Sequence, residues 1–154
     1  MKSLLTGACA LFASAFLASA QEGFQPLFNG EDLTGWDGNP KFWSVDNGEI
    51  VGKTTADIPT RGNTFLIFRE HSVDDFELVL EYKLIGGNSG IQYRSVDLGN
   101  WVVSGYQGDF EAGTTYSGIL YHEKGRGILA QRGQVTKVVD GDEPGRHRVE
   151  VIGS

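Results

Sequence analysis

The chain has 154 residues, with 13 Lys and Arg against 20 Asp and Glu, which gives a formal net charge of −7. This acidic balance argues against a nucleic-acid binder or a protein of anionic membrane surfaces, since both need a basic patch. Gly contributes 22 residues, and Phe, Trp and Tyr together make up 11% of the chain. Such a composition is typical of strands joined by tight turns, so we expect an all-β protein that is open to neutral ligands.

The first 20 residues have the pattern of a secretory signal peptide. Lys2 supplies a positive charge, an apolar run extends from Leu4 to Leu17, and residues 18–20 form the small-residue cleavage signal Ala-Ser-Ala. The run is too short and wrongly flanked for a membrane span. We predict export to the periplasm or the cell exterior, with residues 21–154 as one domain. The single cysteine, Cys9, would leave with the peptide, so no disulfide or thiolate metal site is expected.

Short strands are predicted along the whole domain. Asp46-Asn47-Gly48 is the strongest hairpin signal, with a short strand on each side. Further strands are expected at residues 64–68, 76–84, 91–96, 105–110, 118–122 and 146–152. Only Gly153 and Ser154 follow the last strand, so we expect it to be the first arm of a hairpin whose partner is missing. The domain is therefore predicted to be truncated at its C-terminus.

Alternation in these strands separates an apolar side from a polar side. If the strands are neighbours in one sheet, their polar sides bring together Glu81, Arg94, Gln107 and Asp109, with Asn88 in the loop at the edge. The solvated outer face of a sandwich shows the same pattern, and from spacing alone it is the more common explanation. The glycines on both sides of Asn88 favour a ligand site, because they let the backbone approach a bound molecule closely.

Other chemical motifs are absent or ambiguous in the sequence. The three histidines, His71, His122 and His147, do not have the spacing of metal ligands, and the sequence lacks a nucleophile elbow, a phosphate loop and a dinucleotide fingerprint. No cofactor is predicted, and the need for a divalent metal stays open. The arginine-containing segment at 125–133 is interpreted equally well as a loop that clamps an anion or sugar hydroxyls and as a solvated loop. Of the tryptophans, Trp101 is the best candidate for stacking on a sugar.

Five segments occur together in a characteristic order, at residues 23–36 (GFQPLFNGEDLTGW), 43–48 (WSVDNG), 75–82 (DFELVLEY), 87–94 (GNSGIQYR) and 116–121 (YSGILY). Together they resemble the 3-keto-disaccharide hydrolase domain family. The resemblance implies an all-β, concanavalin A-like jelly-roll sandwich of two antiparallel sheets with a carbohydrate-facing groove. Family members usually continue through an Asn-Gly turn that has no match here, which agrees with the expected truncation.

The resemblance also implies a reaction, the cleavage of 3-keto-glycosides by abstraction of the C2 proton, elimination of the C1 substituent and hydration. Glu81 or Asp109 would be base and acid, and Arg94 would stabilise the oxyanion. Many members carry a Glu-containing strand near Gln107, so a carboxylate role there passes to Asp109. The expected substrate-binding residues are Asn88, Gln92, Gln107, His122 and Trp101. The alternative is a non-catalytic carbohydrate-binding module with the same groove, and the oligomeric state is left open.

Overall fold

The structure, a computed structural model, describes residues 23–134 and the backbone of residues 147–153. The predicted signal peptide lies outside the described residues. The described part of the chain consists of strands and turns, and it contains no helix with the length and hydrophobicity needed to span a membrane. The strands are β1 (Trp36–Asp37), β2 (Trp43–Asp46), β3 (Glu49–Gly52), β4 (Ile67–Phe68), β5 (Phe76–Tyr82), β6 (Asn88–Gly99), β7 (Val102–Glu111), β8 (Leu120–Glu123), β9 (Gly127–Ala130) and β10 (His147–Gly153).

The largest sheet contains four antiparallel strands in the order β6-β7-β8-β9. Strand β7 is an inner strand, and its odd-numbered positions are the more buried ones, including Val103 and Gln107. The long β6–β7 hairpin turns at Asn100 and Trp101, both of which have positive φ angles. Most of the candidate site lies on this sheet.

A second layer packs against one face of this sheet. Strand β5 pairs along its whole length with β10 and belongs to a separate sheet. Its Tyr82 ring stacks on Phe110 of β7 with ring centroids 4.0 Å apart, and its Phe76 ring lies 6.3 Å from Tyr93 of β6. The two layers therefore enclose an aromatic interior, which confirms the all-β sandwich with antiparallel sheets.

The remaining strands form two short antiparallel pairs. β2 and β3 make the hairpin expected at Asn47-Gly48, where both residues have the positive φ angles of a type I′ turn. β1 pairs with β4, which is shorter than the strand predicted at 64–68. In the ambiguous segment at 125–133, residues 127–130 form the edge strand β9, and the residues on either side of it lie outside the strands.

Candidate functional site

One face of the four-stranded sheet carries a group of polar side chains, here called the polar face. In the register of the sheet Gln92 lies opposite Gln107, and Gln107 lies opposite Tyr121. Residues directly opposite each other on antiparallel strands point to the same face, so these three form a row across β6, β7 and β8. By the same alternation, Asp109 lies on this face to one side of the row and Glu123 to the other.

Asp109 is the most perturbed carboxyl group of the polar face. Burial raises its pKa, and the negative charges of Glu123 and Glu111 act in the same direction. Hydrogen bonds from Gln107 and Asn88 oppose this effect, and the Gln107 bond is short, with Nε2 2.6 Å from Asp109 Oδ1. The carboxyl therefore keeps its proton to higher pH than an exposed Asp, which suits a group that must both take and give a proton.

Gly90 explains how Gln107 reaches Asp109. A Cβ at position 90 would lie 2.8 Å from the Cγ of Gln107 and 2.7 Å from the carbonyl oxygen of Gly108. The Gln107 side chain thus lies across Gly90, where any larger residue would displace it. The sequence predicted that a bound molecule could approach the backbone closely in this glycine-rich region. In the structure, the group that lies against the backbone of Gly90 is the side chain of Gln107.

Gln92 has an unusual polar environment. Both its amide nitrogen and its amide oxygen are buried without a hydrogen-bond partner among the described residues. An unpaired buried amide costs free energy, and most buried polar groups in proteins are paired. The Gln92 amide therefore lies in the row of the polar face with its hydrogen-bonding capacity unused among the described residues.

Glu123 is a buried carboxylate outside the set of site residues expected from the sequence. It is only 3% exposed. Asn63, in the segment between β3 and β4, donates a hydrogen bond of 2.7 Å from Nδ2 to Glu123 Oε2, and Lys124 Nζ lies 3.6 Å from Oε1. The segment that contains Asn63 therefore borders the polar face at the Glu123 end. Only the position of Glu123, one residue beyond a predicted alternating strand, could have indicated it.

Glu81 lies away from the polar face. Its strand, β5, turns Phe76 and Tyr82 toward the aromatic interior, so the alternate residue Glu81 points outward, and it is exposed. Its partner in the register is Arg148 of β10. The expectation that Glu81 shares a surface with Asp109 is wrong, because it required β5 and β6 to be neighbours in one sheet.

Arg94 also departs from the expected arrangement. It lies at a register irregularity of β6 with a φ angle of 47°, so the alternation that would place it beside Gln92 is interrupted. Its guanidinium donates a hydrogen bond of 3.2 Å to the Asp74 carbonyl and lies 3.5 and 3.8 Å from the carboxylates of Asp74 and Asp75. Arg94 thus contacts the segment that leads into β5 rather than Asp109.

His122 and Trp101 have structural partners outside the polar face. The register pairs His122 with Tyr106, so it lies on the opposite face of the sheet, with ring centroids 5.0 Å apart. The His122 Nδ1 accepts a hydrogen bond of 3.3 Å from the backbone N–H of Arg126 in the turn to β9. Trp101 donates a hydrogen bond of 2.6 Å from Nε1 to Asp37 Oδ1. Trp101 was expected to contact the substrate because it lies in a polar loop between strands, and His122 because of the family resemblance, and neither argument determined which way the side chain points.

The Trp101 contact belongs to a charged cluster at the tip of the β6–β7 hairpin. Arg69 bonds Asp37 at 2.8 Å and Asp97 at 2.6 Å. A hydrogen bond from Arg69 lowers the pKa of Asp37, and a hydrogen bond from Trp101 adds a smaller effect. The pKa of Asp97 is lowered by a hydrogen bond from the backbone N–H of Gly99 and, to a smaller extent, by one from Arg69. These bonds connect the hairpin tip to the β1–β4 pair and so help to hold the four-stranded sheet in place.

Four of the predicted residues do converge. Asn88, Gln92, Gln107 and Asp109 come together on the polar face, and Asn88 reaches Asp109 from the start of β6. Within residues 23–134, no three His, Cys, Asp or Glu side chains are grouped as metal ligands. A shallow hollow of about 460 Å³ lies elsewhere, lined by residues on either side of the β2–β3 hairpin, including Phe42, Asp57 and Ile58. It lacks a buried titratable group, so we assign the chemistry to the polar face.

Comparison with models of protein families identifies the family of this chain. The model of the 3-keto-alpha-glucoside-1,2-lyase-like domain matches residues 23–147, which is most of the chain. The chain belongs to this family. Searches of curated proteins and of solved structures gave no significant match. The 3-keto-alpha-glucoside-1,2-lyase-like domain here includes the whole polar face, from Asn88 to Glu123.

Proposed function

We propose that this domain cleaves 3-keto-glycosides on the polar face, with Asp109 as the proton-transfer group, in a protein exported from the cell. Family membership supports the substrate class. The observation that carries the proposal is the environment of Asp109, whose half-buried carboxyl has a raised pKa and is held by Gln107 beside the unpaired amide of Gln92. Such a perturbed group beside unsatisfied polar atoms is typical of an active site.

The first step uses the ketone of the substrate. A carbonyl at C3 acidifies the hydrogen on C2, because the electron pair left by its removal is delocalised onto the carbonyl oxygen. The Asp109 carboxylate takes this proton and becomes a carboxylic acid. The Gln92 amide N–H is the donor assigned to the developing oxyanion, since it lies on the same face and has no partner of its own among the described residues.

The second step releases the leaving group. The electron pair returns from the oxyanion, a C1–C2 double bond forms and the C1–O bond breaks. Asp109 gives its proton to the departing oxygen and is again a carboxylate. Water then adds across the C1–C2 double bond to give the free 3-keto sugar. Gln107 and Asn88 hold the Asp109 carboxyl in one orientation throughout.

The proposal is tested by incubating the protein with a 3-keto-glucoside and, separately, with its unoxidised parent. We expect aglycone release from the keto sugar alone, and a loss of at least about 100-fold in kcat for Asp109→Asn, as for removal of a general acid–base group. Glu81→Gln is the matched control, because this exposed carboxylate belongs to the other sheet. Equal cleavage of both sugars, or a Glu81→Gln loss as large as that of Asp109→Asn, would contradict the proposal. Binding of both sugars without turnover would indicate a carbohydrate-binding module instead.

A further inference from the structure

Tyr121 differs from the tyrosines of the sandwich interior. Tyr82, Tyr93 and Tyr106 each pack against another ring within the aromatic interior. Tyr121 lies on the opposite side of the sheet, and its ring has no aromatic or hydrogen-bond partner in the described ranges. An aromatic ring left without such partners on a polar surface is available to a ligand.

The neighbours of Tyr121 give its surroundings a definite chemistry. On β7 it lies opposite Gln107, and on β9 it lies opposite Ile128, which is 40% exposed. Tyr121 and Ile128 thus form an apolar strip beside the amide row of Gln92 and Gln107. A flat apolar surface next to hydrogen-bonding amides matches a pyranose ring, whose C–H face is apolar and whose hydroxyl groups lie around its edge.

We propose that Tyr121 is the platform on which the sugar ring of the substrate stacks, with Ile128 extending that platform toward the sheet edge. The inference rests on the proposed carbohydrate substrate. A ring on Tyr121 has its hydroxyl edge toward Gln107. Asp109 follows Gln107 by two residues, about 7 Å along the strand, which places the carboxyl at the edge of the same ring. Trp101, the stacking residue expected from the sequence, lies instead at the tip of the β6–β7 hairpin, where its indole N–H donates a hydrogen bond to Asp37.

The experiment measures the Kd and KM of a methyl 3-keto-glucoside for the full chain and three variants. Tyr121→Ala should weaken binding by about tenfold, the loss expected for one aromatic contact, with a smaller change in kcat. Tyr121→Phe keeps the ring and should bind within about threefold of the unaltered protein. Tyr116→Ala is the matched control, since Tyr116 is 43% exposed in the loop before β8. Circular dichroism checks that each variant is folded.

Each outcome bears on one proposal or the other. Binding that depends on Tyr121 without turnover supports the platform and contradicts the proposed cleavage. Turnover with an unchanged KM and Kd in Tyr121→Ala overturns the platform and leaves the cleavage intact. A loss in Tyr121→Phe or Tyr116→Ala as large as in Tyr121→Ala also overturns the platform. Failure of the unaltered protein to bind the sugar contradicts both.

Discussion

Asp109 shows how much of a single residue's role can be derived from the sequence. Alternation correctly predicted that Gln107 and Asp109 share one side of their strand. It could not predict that this side is half-buried, or that Glu123 contributes a charge from the next strand. The raised pKa depends on burial and on charges distant in the sequence, and neither is encoded by the local pattern.

The raised pKa of Asp109 has a consequence for stability. The native state keeps the Asp109 proton at pH values where the unfolded chain has lost it, so its contribution is present below the unfolded pKa and is lost as pH rises through the folded pKa. Ionised Asp109 therefore destabilises the fold at neutral pH. Asp109→Asn should raise the free energy of unfolding at pH 7, and the difference from the unaltered protein should vanish near pH 3.

Urea unfolding at both pH values measures this effect. Glu81→Gln, which removes an exposed carboxylate, is the control and should change stability little. If Asp109→Asn were no more stable than the unaltered protein at pH 7, the ionised Asp109 carboxyl would not destabilise the fold. A variant that is more stable but inactive would show the trade-off between stability and activity that is expected where the surroundings disfavour the charge of a catalytic group.

At the scale of elements, local sequence signals predicted the hairpin correctly. Contacts between residues far apart in the chain were not predicted. The β2–β3 hairpin was predicted because Asn47-Gly48 determines the turn by itself. Strand β9 was missed because its four residues, Gly127–Ala130, are too few to show alternation. The contact of Asn63 with Glu123 joins residues 60 positions apart, and no periodicity predicts such a pairing.

The Asn63–Glu123 hydrogen bond should fasten the β3–β4 segment to the edge of the polar face. Asn63→Ala leaves the buried carboxylate without that donor, and we expect a loss of about 2 kcal/mol in the free energy of unfolding, the range for hydrogen bonds to charged groups. In a Glu123→Gln background the same substitution should cost clearly less, because the buried group no longer carries a charge. A double-mutant cycle by urea unfolding measures the coupling. Strictly additive effects would show that the bond does not stabilise the native state.

At the scale of the whole molecule, the sequence predicted the sandwich but not the distribution of strands between its layers. The alternation in β5 is equally compatible with a place beside β6 and with a place in the opposite layer. The stacking of Tyr82 on Phe110 places β5 in the opposite layer, and this assignment separates Glu81 from Asp109. Which surface is functional therefore follows from layer assignment, a tertiary property that a single sequence leaves undetermined.

The most direct test of the polar face as the functional surface is to map where a sugar binds. Isotope-labelled protein is titrated with a methyl 3-keto-glucoside, and the backbone amide shifts are followed by NMR. We expect the largest changes in residues 88–92, 105–109 and 120–123. Changes concentrated instead on the outer side of β5, at residues 77–81, or around the hollow beside the β2–β3 hairpin would show that the sugar binds elsewhere.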